Sequence, residues 1–339
     1  MQIILDFKLL LSTYFLPKFL VIRFSSIGDI VLTSPIVRCI KQQIAGAEVH
    51  YLTKKAFLPV AKAIGNTYKI YSIESDINEV IDALKKESYD FIVDLHHNLR
   101  SMQVKRALKK DSAAFPKLNI EKWLMVNLRI NKLPNEHIVD RYFETVDSLG
   151  VENDGLGLEY HIPPDEEIDL MSLPASHRDG YIGFVIGANH FTKQLPVHKI
   201  ISICKLIDMP IVLLGGKNDE EKAIQIEQAI GAKIFNACGK YSIHGSASLV
   251  RQSKKIITHD TGLMHIAAAF KKDIISVWGN TIPAFGMYPY KPGANSNIVE
   301  VKGLSCRPCS KIGYKACPKK HFKCMEQIDE DLIVQLIRR

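Results

Sequence analysis

The sequence predicts an α/β protein of two Rossmann-like, doubly wound domains facing a cleft. Three observations carry this reading. Near-continuous apolar strands alternate with helical segments, the pattern of parallel sheets covered on both faces. The rhythm runs twice, on either side of a stretch at 150–180 that is broken by Gly155, Gly157, Pro163, Pro164 and Pro174. The chain has 339 residues, 47% of them hydrophobic and 24% charged, enough for two ordinary domains with cores of their own. The expected division is an N-terminal extension at 1–17, a first domain at 18–165 and a second at 166–339.

The elements follow in order. Residues 18–24 (KFLVIRF) read as a buried strand, 28–43 as a helix, 48–52 as a strand and 56–63 as a short helix. A strand at 69–73, a helix at 77–87 and a buried strand at 89–95 (YDFIVDL) come next, and 118–149 is mainly helical with a break near Pro134. The second series places strands at 181–188, 210–216, 233–236, 255–259 and 273–279, with helices at 197–208, 219–230, 244–252 and 262–270. Ligands of such sheets bind beyond the carboxyl ends of the strands, and two such domains place the natural site in the cleft between them.

Three strand-to-helix turns carry chemistry. In the first, Ser25-Ser26-Ile27-Gly28-Asp29, Gly28 lets backbone approach a ligand. The helix start beyond it offers free N–H groups to an anion, and the two serines add hydroxyls. Asp29 is either a reactive carboxylate or a cap for that helix. The turn lacks the repeated glycines of a dinucleotide fingerprint, which argues against a nicotinamide oxidoreductase. The second turn, 187–196, carries Thr192 and Lys193, where an ammonium can meet a phosphate or simply be solvated. The third, 258–265, offers Asp260 as an N-cap, with the N–H groups of Thr261, Gly262 and Leu263 turned toward a diphosphate. His265 lies one turn on, either near the ligand or in the core.

Together these segments resemble glycosyltransferase family 9, whose best-known members are the lipopolysaccharide heptosyltransferases. The resemblance rests on SSIGD after an apolar strand, Thr-Lys-x-x-Pro opening the second domain, LLGG followed by acidic residues, and DTGLMHIAAA, and it runs from about Lys18 to the C-terminus. It implies a GT-B fold, an acceptor domain followed by a nucleotide-sugar domain, and inverting transfer with no bound metal or other cofactor. Asp29 matches the family's general base, and Lys193 the lysine that neutralises the departing diphosphate. Thr192 falls in the same phosphate loop, and Asp260, Thr261, Gly262, Leu263 and His265 match the donor-binding turn. Ser25, Ser26 and Gly28 fall on the acceptor side. The family's D-L-H-x-N-x-R-S segment appears at 94–101, where Arg100, with Lys105 beyond it, can hold acceptor phosphates or carboxylates. Arg100 can equally brace the loop through carbonyls or Asp94. The resemblance favours ADP-heptose as donor and the lipopolysaccharide inner core as acceptor. Some members carry a glutamate for the nucleoside just after the LLGG-type strand; here Lys217 stands there, with Asp219 and Glu220 beyond, which leaves another nucleotide sugar open.

The net charge of +8 favours anionic partners: nucleotide phosphates, a phosphorylated glycolipid, an acidic membrane surface or nucleic acid. Four of the seven cysteines cluster as Cys306, Cys309, Cys317 and Cys324 amid lysines. They read either as a structural zinc set or as reduced thiols packed under a loop. The rival class is a basic, zinc-containing nucleic-acid-binding protein. It does not account for the paired phosphate turns facing a carboxylate, so no nucleic-acid partner is expected. An epimerase of the same fold would form product without an acceptor. The uncharged run at 9–17 is too short for a span of about 20 residues and lacks a signal-peptide cleavage site. The expected location is therefore the cytoplasm, with peripheral contact on the inner membrane.

Overall fold

The computed structural model describes residues 16–339, so the expected extension at 1–17 lies almost wholly outside the described residues. The chain forms two all-parallel sheets. The first contains β1 (Lys18–Ile22), β2 (Glu48–Lys54), β3 (Lys69–Ile73), β4 (Phe91–Asp94) and β5 (Asp111–Ala114) in the order β3-β2-β1-β4-β5. The second contains β6 (Ile182–Val185), β7 (Ile211–Leu214), β8 (Ile234–Asn236), β9 (Lys255–His259), β10 (Ile274–Trp278) and β11 (Asn297–Glu300) in the order β11-β10-β9-β6-β7-β8. Both sheets are wound in the same way and reverse direction at one point, between β1 and β4 and between β6 and β9. A reversal leaves a crevice at the carboxyl edge. The segments after those four strands are the ones singled out from sequence.

The expected helix at 28–43 is two helices, α1 (Ile27–Val31) and α2 (Ser34–Gln43). Pro35 in the first turn of α2 cannot donate to the preceding turn. Thr33 and Ser34 hydroxyls donate instead to Ile30 O and Val31 O, at 2.7 and 2.8 Å. Next come α3 (Leu58–Ala63), α4 (Ile81–Lys86), α5 (Leu99–Leu108), α6 (Asn119–Leu128), α7 (Ile138–Phe143) and α8 (Ala175–Arg178). The second domain adds α9 (Val197–Leu206), α10 (Glu220–Ile230), α11 (Ile243–Gln252), α12 (Gly262–Ala269), α13 (Lys323–Glu326) and α14 (Glu330–Arg338), with α14 packed on α9. The pattern reading missed α5, β5, β11 and the last two helices. β5 is a half-exposed edge strand of sequence DSAA, with none of the β-branched residues that mark a strand.

One buried apolar cluster runs through both domains, from Val21, Ile30 and Tyr51 to Tyr181, Ala267 and Trp278. Two separate clusters fill the outer layers of the two sheets. The domains meet where α1 lies against α12. A Cβ on Gly28 would stand 2.5 Å from His265 Cδ2, and one on Gly262 would stand 2.9 Å from Ile27 Cβ and 3.3 Å from Gly28 N. Only glycines permit that approach. A second seam joins α7 to 285–290: Ile138 N donates to Gly286 O at 2.9 Å, and Tyr290 OH donates to Asp140 at 2.6 Å. Among the described residues no helix is long and apolar enough to cross a membrane.

Gly262→Ala places a methyl group against backbone and a β-branched side chain. It is expected to destabilise the protein by about 1–3 kcal/mol, the usual cost of overpacking. Urea unfolding checks this, and a change below roughly 0.5 kcal/mol, the range of ordinary surface substitutions, would mean that the two helix starts need not touch.

Candidate active site

The first-domain side is organised around Asp29. Ser26 caps α1, and Asp29, three residues on, closes a capping box. Its Oδ2 accepts from Ser26 N at 3.0 Å and from Ser26 Oγ at 2.7 Å. Its Oδ1 lies 2.5 Å from the Arg23 guanidinium. Arg23, at the end of β1, is itself fixed: Nε donates to Ser25 O at 2.8 Å, and Nη1 donates to Leu95 O at 2.5 Å and Tyr142 OH at 3.2 Å. Burial alone would raise the Asp29 pKa. The Arg23 charge and the Ser26 hydrogen bonds outweigh it and hold the carboxyl below its usual range. Asp29 thus caps its helix and still presents a carboxylate, one-fifth of it exposed (20%). Ser25 contributes its carbonyl to Arg23, and Gly28 its lack of a side chain. The sequence reading passed over Arg23; its signal was a lone cation closing an apolar strand.

On the second-domain side, Lys193 Nζ lies 2.6 Å from Asp260 Oδ2, and Asp260 also accepts from Thr281 Oγ1 at 3.1 Å. Asp260 is therefore not the cap of α12, contrary to expectation. Thr261 is the N-cap and makes no side-chain cap bond, so the first N–H groups of α12 stay available to an anion. Thr192 also departs from expectation. Its buried hydroxyl accepts from Tyr314 N at 2.8 Å and donates to Tyr314 O at 3.2 Å, so it anchors the loop rather than offering a donor to phosphate. The far end of the loop is pinned by Leu195 N donating to His259 Nε2 at 3.0 Å. Burial lowers the His259 pKa to about 3, so this imidazole is neutral and Nε2 can accept. Lys217 stands in an exposed turn, while Asp219 is occupied by Gly216 N at 3.0 Å and by Lys222 at 3.0 Å.

Several buried polar atoms around this loop have no partner among the described residues: Thr261 Oγ1, His265 Nδ1 and both amide atoms of Asn280. Native interiors leave few such groups, and each calls for an explanation. Asn280 N approaches Thr192 O at 3.4 Å, and the next residue, Thr281, is the one bound to Asp260. Burial lowers the His265 pKa to about 4, so its ring is neutral at pH 7. It stands between the domains, touching Gly28 and acted on by the charges of Asp260, Asp29 and Lys193. Leu263, second in α12, is half-buried against the core that spans both domains. Asn280 was not anticipated, although Gly-Asn-Thr at the carboxyl end of a buried strand is the signal that marks it.

The remaining first-domain candidates move apart. Lys105 Nζ pairs with the fully buried Asp94 at 2.9 Å, so it braces the loop instead of facing the cleft. Asp94 also accepts from His96 N, His97 N and the Ser101 hydroxyl, at 3.1, 2.7 and 2.8 Å. Among the described residues Arg100 bonds neither carbonyls nor Asp94; its guanidinium lies over the Phe24 ring, 5.5 Å from the centroid. Two cations outside any motif feel the charge of Asp29. Lys117 and Lys122 join none of the ion pairs among the described residues. Burial lowers the pKa of both, Lys122 to about 8, and Asp29 and Lys311 are among the charges that act on each. His96 Nδ1 is buried without a partner on the same side.

The cysteine cluster is not placed as a ligand set: among the described residues no three or more His, Cys, Asp or Glu side chains are arranged to hold a metal ion. Cys324 packs in the outer core of the second domain, with Cys317 against it, and all seven cysteines are free thiols. Cys306 Sγ lies 3.8 Å from His321 Nε2, and the Cys309 carbonyl accepts from Tyr314 OH at 3.0 Å.

Residues 77–320 match the model of glycosyltransferase family 9 (heptosyltransferase). Lipopolysaccharide heptosyltransferase 1 of Campylobacter coli is 22% identical over 349 residues, covering 95% of this chain and 98% of the relative. Among solved structures, ADP-heptose lipopolysaccharide heptosyltransferase II of E. coli superposes with a TM-score of 0.70 at 19% identity, covering 95% of this chain and 97% of that one. A glycosyltransferase family 9 member from Veillonella parvula superposes with a TM-score of 0.73 at 19% identity, covering 95% and 96%. These neighbours have the GT-B fold, and the two sheets described above share it.

Removing the Arg23 charge leaves burial as the main influence on Asp29. In Arg23→Met the Asp29 carboxyl is expected to titrate at higher pH, read by carboxyl-carbon NMR. The sign for stability follows. A folded pKa held below the unfolded value of about 3.9 stabilises the fold at neutral pH, and this is lost as pH falls through the folded value. The variant should lack that acid-side loss. An unchanged Asp29 titration would mean that Arg23 does not set the charge.

Proposed function

The chain belongs to glycosyltransferase family 9, the heptosyltransferase family, and from that premise we propose that it moves heptose from ADP-heptose to the lipopolysaccharide inner core, inverting the anomeric centre without a metal. That it is a glycosyltransferase follows from the family; the donor, the acceptor and the stereochemistry are the proposal. The observation that carries it is the group of unpaired buried polar atoms at Thr261, His265 and Asn280, set beside Lys193 and across the domain contact from Asp29.

In this reading the acceptor hydroxyl attacks the anomeric carbon from the face opposite the diphosphate. Its proton passes to the Asp29 carboxylate as the new C–O bond forms. The bond from the anomeric carbon to the phosphate oxygen breaks, and its electron pair leaves with ADP. Charge then accumulates on the departing phosphate, where Lys193 and the uncapped N–H groups of α12 stabilise it. Asp260 holds the ammonium in place between turnovers. Asn280 and Thr261 supply the hydrogen bonds that sugar hydroxyls or phosphate oxygens require, and the neutral His265 offers Nδ1. Lys117 and Lys122 face an acceptor that carries acidic groups. The E. coli heptosyltransferase WaaC, a structural neighbour with a TM-score of 0.64, was solved with ADP-2-deoxy-2-fluoro heptose, which supports the choice of donor. The site of action is the cytoplasmic face of the inner membrane.

Thermal unfolding with ADP-heptose, matched UDP- and GDP-sugars, and no ligand tests the donor. At about 100 times Kd a ligand stabilises by roughly 2.7 kcal/mol. A shift with ADP-heptose alone is expected, abolished in Lys193→Ala and reduced in Asn280→Ala. Asp29→Asn should keep the shift while losing about 10²–10⁴ in kcat, the usual contribution of a general base. A shift with another nucleotide sugar instead would replace the donor. Full activity in Asp29→Asn would remove the assigned base.

A further inference from the structure

Helix α6 has six apolar residues among ten, Ile120, Trp123, Leu124, Met125, Val126 and Leu128, yet none of its residues is fully buried, Lys122 being half-buried at its inner side. A surface helix of a globular domain normally hides its apolar stripe. Here Ile120, Trp123 and Leu128 are exposed, Ile130 continues the patch, and Ile312 and Tyr314 add to it from the second domain. Those six make up more than a third of the 16 large apolar side chains exposed among the described residues. Scattered exposed apolar residues need no explanation, but a contiguous patch marks an interaction surface.

The two parts of the patch are held together. Arg129, just past the end of α6, donates from Nε to Ser305 O at 3.0 Å and from Nη1 to Pro308 O at 2.8 Å. Lys311 Nζ reaches Asn119 Oδ1 at 3.5 Å, at the other end of the helix. Segment 301–325 carries seven Lys and Arg residues and no Asp or Glu. Of these cations, Arg307 is bound to Glu300 at 2.6 Å, and the six lysines are exposed and unpaired among the described residues. An apolar helix face rimmed by unpaired lysines complements a bilayer carrying anionic headgroups. The pairing also argues against the other occupants. A second copy would bring two like-charged faces together, and a nucleic-acid backbone would leave Ile120, Trp123 and Leu128 against phosphate.

We propose that α6 and segment 305–323 form a membrane-docking face, centred on Trp123, that seats on anionic phospholipid. Trp123 enters the interface, where an amphipathic indole is favoured, and the lysines supply an attraction that salt screens. The face adjoins the lysines assigned to the acceptor, because Lys122 lies on α6 itself and Lys117 two residues before it. Docking therefore presents the acceptor side of the site to the bilayer. The inference does not depend on which nucleotide sugar is used.

The protein reports on this face by itself. It has two tryptophans, Trp123 at 56% exposure and Trp278 at 1%. The full chain is mixed with vesicles of phosphatidylglycerol and phosphatidylcholine, and with phosphatidylcholine alone, at low and high salt. Co-sedimentation with the anionic vesicles at low salt is expected, with a blue shift of tryptophan emission and release at high salt. Trp123→Ser should weaken vesicle binding about tenfold or more, and Lys315→Glu and Lys319→Glu by roughly fivefold each per charge removed. The stabilisation of Trp123→Ser by ADP-heptose should equal that of the native protein, which shows that the variant is folded. If the native protein binds vesicles but no nucleotide sugar, the functional reading falls and this face stands. Absence of co-sedimentation at low salt, bound protein with unshifted emission, or undiminished binding by Trp123→Ser overturns the proposal. So does a blue shift produced by single-stranded nucleic acid, or by concentration alone without lipid.

Discussion

Everything chemical in this protein depends on two helix starts meeting without side chains between them. Gly28 and Gly262 let α1 and α12, from different domains, approach to backbone contact. Each helix begins at the winding reversal of its own sheet, where a parallel fold leaves a crevice. The contact therefore joins two half-sites, and the apolar cluster shared by both domains shows that the inner layers pack as one body. The bulk of His265 fills the remaining space beside Gly28, so its neutral ring becomes the wall that both charged centres feel.

The electrostatics of the two halves are complementary in kind. Each half holds one ion pair at its opening, Arg23 with Asp29 and Lys193 with Asp260. In the first, the cation is buried and the carboxylate is presented; in the second, the ammonium is presented and the carboxylate is the retainer. An isolated charge at such depth would neutralise itself, and a paired one stays ionised while remaining directed. The cost of that arrangement for Asp29 is basicity, since the same pairing stabilises the fold at neutral pH. The pairing lowers its basicity, so in the proposed reaction it would accept a proton that is released late, when the attacking oxygen has become acidic through bond formation.

The parallel sheets and the three turns were legible in the sequence because buried strands are near-continuous apolar runs and the turns punctuate them. Asp29 and Lys193 were legible as charged residues placed where such folds bind anions. What could not be read was pairing through space. Asp260 looks like a helix cap by local spacing, but Lys193, 67 positions earlier in the chain, captures it and leaves the cap to Thr261. Lys105 looks like a cleft cation until the buried Asp94 claims it. Thr192 is drawn away from the ligand side by Tyr314, a residue 122 positions later. Lys117 and Lys122 follow an edge strand with no β-branched residue, so no pattern pointed to them.

The cysteine-rich segment shows why its place in the fold matters more than its composition. Its cysteines read as either a zinc set or packed thiols, and its backbone does the structural work. Tyr314 clasps Thr192 and so sets the Lys193 loop, and Arg307 donates to Gly279 O at 2.6 Å and to Thr281 O at 2.8 Å, on either side of Asn280. The same segment carries the lysines and exposed apolar residues that continue the surface of α6. Two short sets of hydrogen bonds thus tie this segment to the Lys193 loop and to the backbone around Asn280. Its opposite edge reaches the first domain through Arg129 and Lys311. The segment thus joins the exposed face around α6, the Lys193 loop and the first domain.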